Sequence, residues 1–140
     1  MKNILIDVDV ILDVLTKREP FFAPAANLWT KVENKQIRAF LASHTITTLF
    51  YLIRKARGKL FARESVRDLL SVFDIAPVDK SALLLALDAD FPDFEDAVQY
   101  ASAKQVNAEF IITRNTKDYR KSAIPALSPE LFLSTLELID

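Results

Sequence analysis

Short apolar runs that alternate with amphipathic helical segments restrict the fold of this chain more than any other feature. Residues 3–7 (NILID), 37–42 (IRAFLA) and 109–113 (EFIIT) predict strands that are buried on both faces, and residues 73–77 and 124–127 predict two shorter ones. Strands separated by helices typically form a parallel sheet with helices on both faces. The predicted fold class is therefore α/β, with three α/β/α layers around a parallel sheet of four to five strands.

The helices in this alternation are predicted from apolar stripes and from residues typical of helix ends. In residues 21–34, Phe22, Ala25, Ala26 and Trp29 recur at i, i+3, i+4 and i+7 and form one apolar face. The other helices are predicted over 44–56 with Ser43 as N-cap, over 61–72, over 79–88, over 93–105 with Phe94 in the apolar stripe, and from Pro129 onward with Ser128 as N-cap.

Composition excludes several classes of protein. The 140 residues fit one domain, residues 1–140, and no stretch approaches the roughly 20 apolar residues of a membrane span. The single glycine, Gly58, rules out a Gly-rich phosphate loop, and the absence of cysteine rules out disulfides and zinc–thiolate sites. We expect a soluble, cytoplasmic protein. Because the net charge is −1, any contact with nucleic acid must be local.

Two acids follow the first predicted strand. Asp7 and Asp9 point to the same side of the chain if the strand continues through both of them. A carboxylate at the end of a buried strand is costly unless it is solvated, paired or bound to metal, so both acids are candidate site residues. The alternative for Asp9 is that it caps the following helix.

A second acidic cluster begins the helix predicted over 93–105. Asp93 and Asp96 are i, i+3 neighbours on one helical face. Acids in a first turn also interact favourably with the helix dipole, which is sufficient to explain Asp93 and Glu95. Asp96 lies beside the apolar stripe of this helix and is the stronger candidate for a functional role.

A third polar cluster, TRNTKD at 113–118, directly follows the strand predicted over 109–113. Ligands of open parallel sheets bind beyond the carboxyl ends of the strands, so Thr113, Asn115 and Asp118 are expected to approach Asp7. The alternative is a plain surface turn, in which Asn and Asp are common. Oxygen ligands in a chain with no cysteine and one histidine favour a hard cation, Mg²⁺ or Mn²⁺.

Other polar residues near this edge are candidate substrate contacts. Arg114 and Lys117 flank the acids and are suited to binding phosphate. Ser43 either caps its helix or contacts substrate. His44, the only histidine, is interpreted as a first-turn residue without a partner, with phosphate contact or general-base catalysis as the alternative.

Three segments together resemble the PIN-domain family, and the resemblance covers nearly the whole chain. ILIDVDVILDVL resembles the opening strand of the family with Asp7 as its first acid, and DFEDAVQYASA resembles its acidic helix with Asp96 as principal acid and Asp93 as auxiliary. FIITRNTKDY and LSPELFL resemble its final strand, acidic loop and closing helix. Within the family the chain is most similar to toxins of the VapC type. The resemblance implies a Mg²⁺- or Mn²⁺-dependent ribonuclease acting on single-stranded RNA, with Asp7, Asp96 and Asp118 as catalytic and metal-binding residues and Asp93 as a further ligand.

The chain departs from the family at Thr48, where relatives usually have a second acid. The resemblance implies that Thr48, Asp9, Thr113 and Asn115 support the site directly or through water. It also implies that RNA and an antitoxin protein are partners, and it leaves a homodimer open.

Two other functions stay open at the level of the sequence. Thr48 favours a degenerate PIN-like module that binds RNA or protein without cleaving it. Asp7 and Asp9 also resemble the Asp-x-Asp opening of haloacid-dehalogenase-like phosphatases. That interpretation requires a lysine and a further acidic pair after Thr113, where only 27 residues remain.

Overall fold

The computed structural model describes residues 1–139. The strands are Lys2–Ile6 (β1), Ile37–Ala42 (β2), Asp74–Ala76 (β3), Phe110–Ile112 (β4) and Ala126–Leu127 (β5). The helices are Val8–Leu15 (α1), Phe22–Glu33 (α2), Ser43–Arg57 (α3), Lys59–Val72 (α4), Lys80–Asp88 (α5), Phe94–Gln105 (α6) and Pro129–Ile139 (α7). A short 3₁₀ turn spans Thr116–Tyr119.

The five strands form one parallel sheet in the order β3-β2-β1-β4-β5. From the central strand β1, the chain builds outward through β2 and β3, then returns to the other side of β1 to form β4 and β5. The strand order therefore reverses between β1 and β4, the position at which parallel sheets typically bind ligands. Asp7 and Thr113 directly follow these two strands and are held side by side, since the Asp7 amide donates to the carbonyl of Ile112 at 2.9 Å.

Successive side chains of β1 enter cores on opposite faces of the sheet, as expected for a strand buried on both sides. Ile4 and Ile6 pack into a core with residues of α1, α2, α3, α4 and α7. Leu5 packs on the other face with Tyr100 and Ala103 of α6. The predicted three-layer α/β/α architecture with a parallel sheet is confirmed.

The structure changes two predicted helix starts and confirms one. Asp7, not Asp9, is the N-cap of α1, because β1 ends at Ile6 and the Asp7 carboxylate accepts from the next amide at 2.7 Å. The strand therefore does not continue through both acids, which was the condition for Asp7 and Asp9 to point to the same side of it. Ser43 is the first residue of α3 and not its N-cap. Ser128 is confirmed, since its Oγ accepts from the amide of Leu131 at 3.2 Å.

Two further differences concern the edges of the predicted elements. Phe94 was expected in the apolar stripe of α6, but 50% of it is exposed. The 3₁₀ turn was not predicted, because polar turn residues do not distinguish such a turn from an irregular loop.

Gly58 does separate α3 from α4, with a φ of 91° that favours glycine. Within residues 1–139, no helix is long and apolar enough to cross a membrane.

Candidate active site

The carboxylate of Asp7 is buried at the centre of the carboxyl edge of the sheet, with 5% of the residue exposed. Its Oδ1 accepts from the Val8 amide at 2.7 Å and from Gln99 Nε2 at 2.8 Å. Its Oδ2 accepts from Thr113 Oγ1 at 2.9 Å and from the Tyr119 hydroxyl at 3.3 Å. None of the ion pairs among the described residues includes Asp7. Neutral donors thus hold this carboxylate in place without neutralising its charge.

Asp9 lies in the first turn of α1 and faces the segment after β4. Its Oδ2 accepts from the Arg114 amide at 3.2 Å and from Asn115 Nδ2 at 3.0 Å, with a longer contact of 3.5 Å from Thr113 Oγ1. Its Oδ1 is buried and has no hydrogen-bond partner within the described part of the chain. Burial, assisted by the charge of Asp7, raises the pKa of Asp9 to about 6.

Asp96 approaches the same group of residues from α6. The Tyr119 hydroxyl lies 3.4 Å from Asp96 Oδ1 and also contacts Asp7, so one phenol joins the two acids. Burial raises the pKa of Asp96 to about 7, and the negative charge of Asp7 adds to this effect. Asp93 and Asp118 act in the same direction with smaller effects. Three other acids thus add negative charge around Asp96, and none of the ion pairs among the described residues includes Asp96.

Gln99 and Tyr119 are site residues that the sequence analysis missed. Gln99 follows Asp96 by three positions on α6, so the helical period that singled out Asp96 also places Gln99 on the same face. Its Nε2 donates to Asp7 and to the Tyr119 hydroxyl at 3.1 Å. Burial, followed by the charges of Asp7 and Asp96, raises the pKa of Tyr119, which therefore stays a neutral donor.

A cavity of about 60 Å³ opens beside Asp7. The polar residues that line it include Asp7, His44, Thr48, Glu95, Asp96 and Gln99. The sequence analysis had explained Glu95 by the helix dipole and His44 as a residue without a partner. His44 Nδ1 is indeed buried without a hydrogen-bond partner within residues 1–139, yet the ring lines the cavity. Burial lowers the pKa of His44, and the charges of Glu95 and Asp7 oppose the change.

The remaining candidates lie around this centre. Asn115, Lys117 and Asp118 are exposed in and beside the 3₁₀ turn. Ser43 is half-buried at the start of α3. The guanidinium of Arg114 forms an ion pair with the buried carboxylate of Asp13 on α1, which is not one of the acids described above. This pairing weakens the prediction that Arg114 binds phosphate.

The arrangement fits a hard divalent cation by its donors, although the side chains do not form a complete cage. Among the residues that the structure describes, no three His, Cys, Asp or Glu side chains are grouped closely enough to hold a metal ion by themselves. Burial and neighbouring acids raise the pKa values of Asp9 and Asp96, and Asp9 Oδ1 has no hydrogen-bond partner among the described residues, so a bound cation would stabilise the ionised carboxylates. Mg²⁺ takes only one or two protein carboxylates and keeps several waters, so these oxygens are sufficient.

Comparison with known proteins adds evidence from outside the geometry. The sequence model of the PIN domain matches residues 3–117. The chain is similar to Ribonuclease VapC1 from Aquifex aeolicus (strain VF5), with 25% identity over 136 residues that cover 94% of this chain and 93% of the relative.

Solved structures show the same fold. FitAcB from Neisseria gonorrhoeae has a TM-score of 0.74 at 19% identity, covering 91% of this chain and 98% of that one. VapBC2 from Rickettsia felis, solved with a DNA fragment of its promoter, has a TM-score of 0.69 at 15% identity over 90% and 97%. The VapC20 toxin from Mycobacterium tuberculosis, described as cleaving the sarcin-ricin loop, has a TM-score of 0.62 at 16% identity over 77% and 86%.

Proposed function

Since the chain belongs to the PIN-domain family, we propose that it is a Mg²⁺- or Mn²⁺-dependent endoribonuclease that cleaves single-stranded RNA. The observation that carries the proposal is the meeting of Asp7 and Asp96 at the Tyr119 hydroxyl, at the carboxyl edge of the sheet. The two acids come from sequence segments far apart, and their charges are not neutralised. Such an arrangement is costly in a folded protein unless it serves a ligand.

Asp7, Asp96 and Asp118 would hold the cation, with Asp93 as an auxiliary acid. When bound, Mg²⁺ or Mn²⁺ supplies Lewis-acid activation of a phosphodiester and of water. The protein's own contribution is to hold the acids in position, which Thr113 and Gln99 do by donating to the two oxygens of Asp7. Hydrogen-bonded supports of this kind orient metal-binding carboxylates and tune their affinity.

The segment after β4 would hold Asp9 in position. Asn115 and the Arg114 amide donate to Asp9 Oδ2, which leaves Asp9 Oδ1 free to accept from water or substrate. Thr48 brings a hydroxyl to the cavity at the position where relatives have an acid. We further propose that Lys117 and Ser43 contact an RNA backbone at the edge of the site; Lys117 is exposed in the 3₁₀ turn and Ser43 is half-buried at the start of α3.

A partner protein follows from the relatives and not from the site. FitAcB and VapBC2 resemble this chain over at least 90% of its length, and the toxin–antitoxin complex from Klebsiella pneumoniae resembles it over 89%. We therefore propose that this chain is the toxin of such a pair and acts in the cytoplasm. Co-expression with the product of a neighbouring small gene, followed by co-purification, tests this part separately.

The nuclease proposal is tested by cleavage of a fluorescent single-stranded RNA with Mn²⁺, with Mg²⁺ and with EDTA. Cleavage should require the metal and should fall by at least about a hundredfold in Asp96→Asn, the loss typical of a disturbed metal site. Asp88→Asn, at the end of α5, is the control and should cleave like the wild type. Cleavage that persists in EDTA, or in Asp96→Asn, would refute the proposal.

A binding module without catalysis is the second candidate, and Thr48 is the observation that favours it. It predicts RNA binding by the wild type without cleavage in either metal. The phosphatase alternative is not favoured, because the PIN-domain model matches residues 3–117 and only 27 residues follow Thr113 to supply the lysine and the further acidic pair that it requires.

A further inference from the structure

One acid at the edge of the cavity has no role in the site as described so far. Glu95 lines the cavity together with Asp7, Asp96 and Thr48, although it is an exposed residue in the first turn of α6. Thr48 brings only a neutral hydroxyl from α3. The negative charge at the cavity therefore comes from Asp7, which follows β1, and from the acids of α6, and not from α3.

A second feature of the same cavity points to a ligand. Gln99 lines it with 4% of the residue exposed, and its Nε2 is fixed by Asp7 at 2.8 Å. The other end of this amide, Oε1, is buried and has no hydrogen-bond partner among residues 1–139. An unsatisfied buried acceptor costs about 1–3 kcal/mol. A cation with its waters would satisfy this oxygen, whereas an anion would not.

Glu95 and Gln99 are related by the helical period. They are i, i+4 neighbours on α6, so their side chains lie along one face of the helix, and both line the cavity. The volume of about 60 Å³ exceeds the 10–15 Å³ or so that one water requires. It is sufficient for one small cation that keeps part of its hydration shell.

Building on the proposed function, we propose that Glu95 supplies the second acid of the cation site, in place of an acid at position 48. The negative charge would then be provided from α6 and not from α3, and the unpartnered Gln99 Oε1 would add a neutral oxygen ligand. With Asp7 and Asp96, three carboxylates then line the cavity, and because they are not grouped closely enough to hold the ion by themselves, waters would complete its shell, as Mg²⁺ commonly requires. If Glu95 only interacted with the helix dipole, neither its position at the cavity nor the unpartnered Gln99 Oε1 would be explained.

Calorimetric titration of the metal-free full chain with MnCl₂, without RNA, tests the proposal. Glu95→Gln removes the charge and keeps the shape of the side chain. Glu130→Gln is the matched control, because Glu130 is likewise an exposed glutamate in the first turn of a helix, α7. Asp96→Asn reports on the cation site itself. Thermal melting of every variant verifies that it is folded.

Glu95→Gln should weaken Mn²⁺ binding by about ten- to a hundredfold, as loss of a supporting ligand does, while Glu130→Gln should bind like the wild type. Adding Thr48→Glu to Glu95→Gln should restore most of the lost affinity, since the acid then returns from α3. Unchanged affinity in Glu95→Gln together with weakened affinity in Asp96→Asn overturns this inference and leaves the proposed function standing. A wild type that binds no Mn²⁺ overturns both.

Discussion

The guanidinium of Arg114 forms a two-point ion pair with the buried carboxylate of Asp13, with Nε 2.7 Å from Oδ2 and Nη2 3.2 Å from Oδ1. Asp13 is only 1% exposed, and its second oxygen lies 4.0 Å from Arg18 Nε. The Arg114 side chain also covers the ring of Phe21 at 4.1 Å. Because the Arg114 amide donates to Asp9, this pair fixes the segment after β4 against α1 and holds one wall of the site.

The main effect of Arg114→Met should therefore be a lower free energy of unfolding and not weaker substrate binding. It leaves Asp13 buried with only the distant Arg18, and breaking a buried pair in this way costs about 3–5 kcal/mol. Arg38→Met is the comparison, because Arg38 pairs with Asp74 at the same 2.7 Å but both side chains are more than half exposed. Exposed pairs contribute at most about 1 kcal/mol. Urea unfolding of both variants measures the difference, and equal losses would contradict the structural role of Arg114.

The metal-free protein should become less stable as pH rises from 5 to 8. The fold raises the pKa of Asp96 from its ordinary 3.8 to about 7, and that of Asp9 to about 6. Between these limits the folded state binds more protons than the unfolded state, so the free energy of unfolding falls with pH. His44 acts in the opposite sense, because burial lowers its pKa, but only below about its ordinary 6.5. Thermal melting in EDTA across this range measures the slope.

Asp96→Asn supplies the control for that slope. The amide cannot titrate, so the variant should lose most of the fall between pH 6 and 8 and should melt at a higher temperature than the wild type at pH 8. The same substitution should abolish metal-dependent cleavage. A wild type whose melting temperature in EDTA rises steadily to pH 8 would disagree with the raised pKa values.

Thr113→Val should weaken both the fold and the site. Thr113 is fully buried, donates to Asp7 at 2.9 Å, and accepts from the amide of Asn115 at 3.0 Å. Loss of a buried hydrogen bond that leaves its partner unsatisfied costs about 1–3 kcal/mol. Thr30→Val, which removes an exposed hydroxyl bonded to a helical carbonyl, should cost much less. Urea unfolding and RNA cleavage should both separate the two variants; similar losses would argue against the role assigned to Thr113.

Tyr119→Phe should raise the pKa of Asp96 further above 7. The Tyr119 hydroxyl is a donor to Asp96, and its hydrogen bond is the contribution that lowers this pKa. Carboxyl-carbon NMR titration of the metal-free protein measures the change. Tyr51→Phe, at a residue that is 60% exposed, should leave the titration of Asp96 unchanged. A downward shift in Tyr119→Phe would mean that the phenol does not stabilise the charged form.

The sequence predicted the sheet because each strand carries its own signal. Apolar runs with β-branched residues required burial on both faces, and the alternation with helices required parallel pairing. The same logic placed Asp7 and Thr113 at one edge, which the structure confirms as neighbours at 2.9 Å. Local sequence patterns predicted the ends of elements less well. Asp7 and Asp9 are both suitable N-caps for α1, and the end of β1 at Ile6 is what makes Asp7 the N-cap.

What the sequence did not reveal are contacts made between distant segments by ambiguous side chains. Gln99 shares a helix face with Asp96, but nothing local shows that its amide reaches Asp7. Tyr119 is equally suited to a core position, and its ring does pack in one while its hydroxyl enters the site. Arg114 looked like a phosphate contact because its partner Asp13 lies about a hundred residues earlier.

The placement of β1 at the centre of the sheet has a consequence for synthesis. Asp7 leaves the ribosome long before three of its four hydrogen-bond donors, Gln99, Thr113 and Tyr119, which follow it by 92, 106 and 112 residues. A nascent chain that stops before Tyr119 cannot assemble the acidic centre, however well its first half folds. The hydrogen bonds that hold the acidic centre are therefore among the last of the described contacts to form during translation.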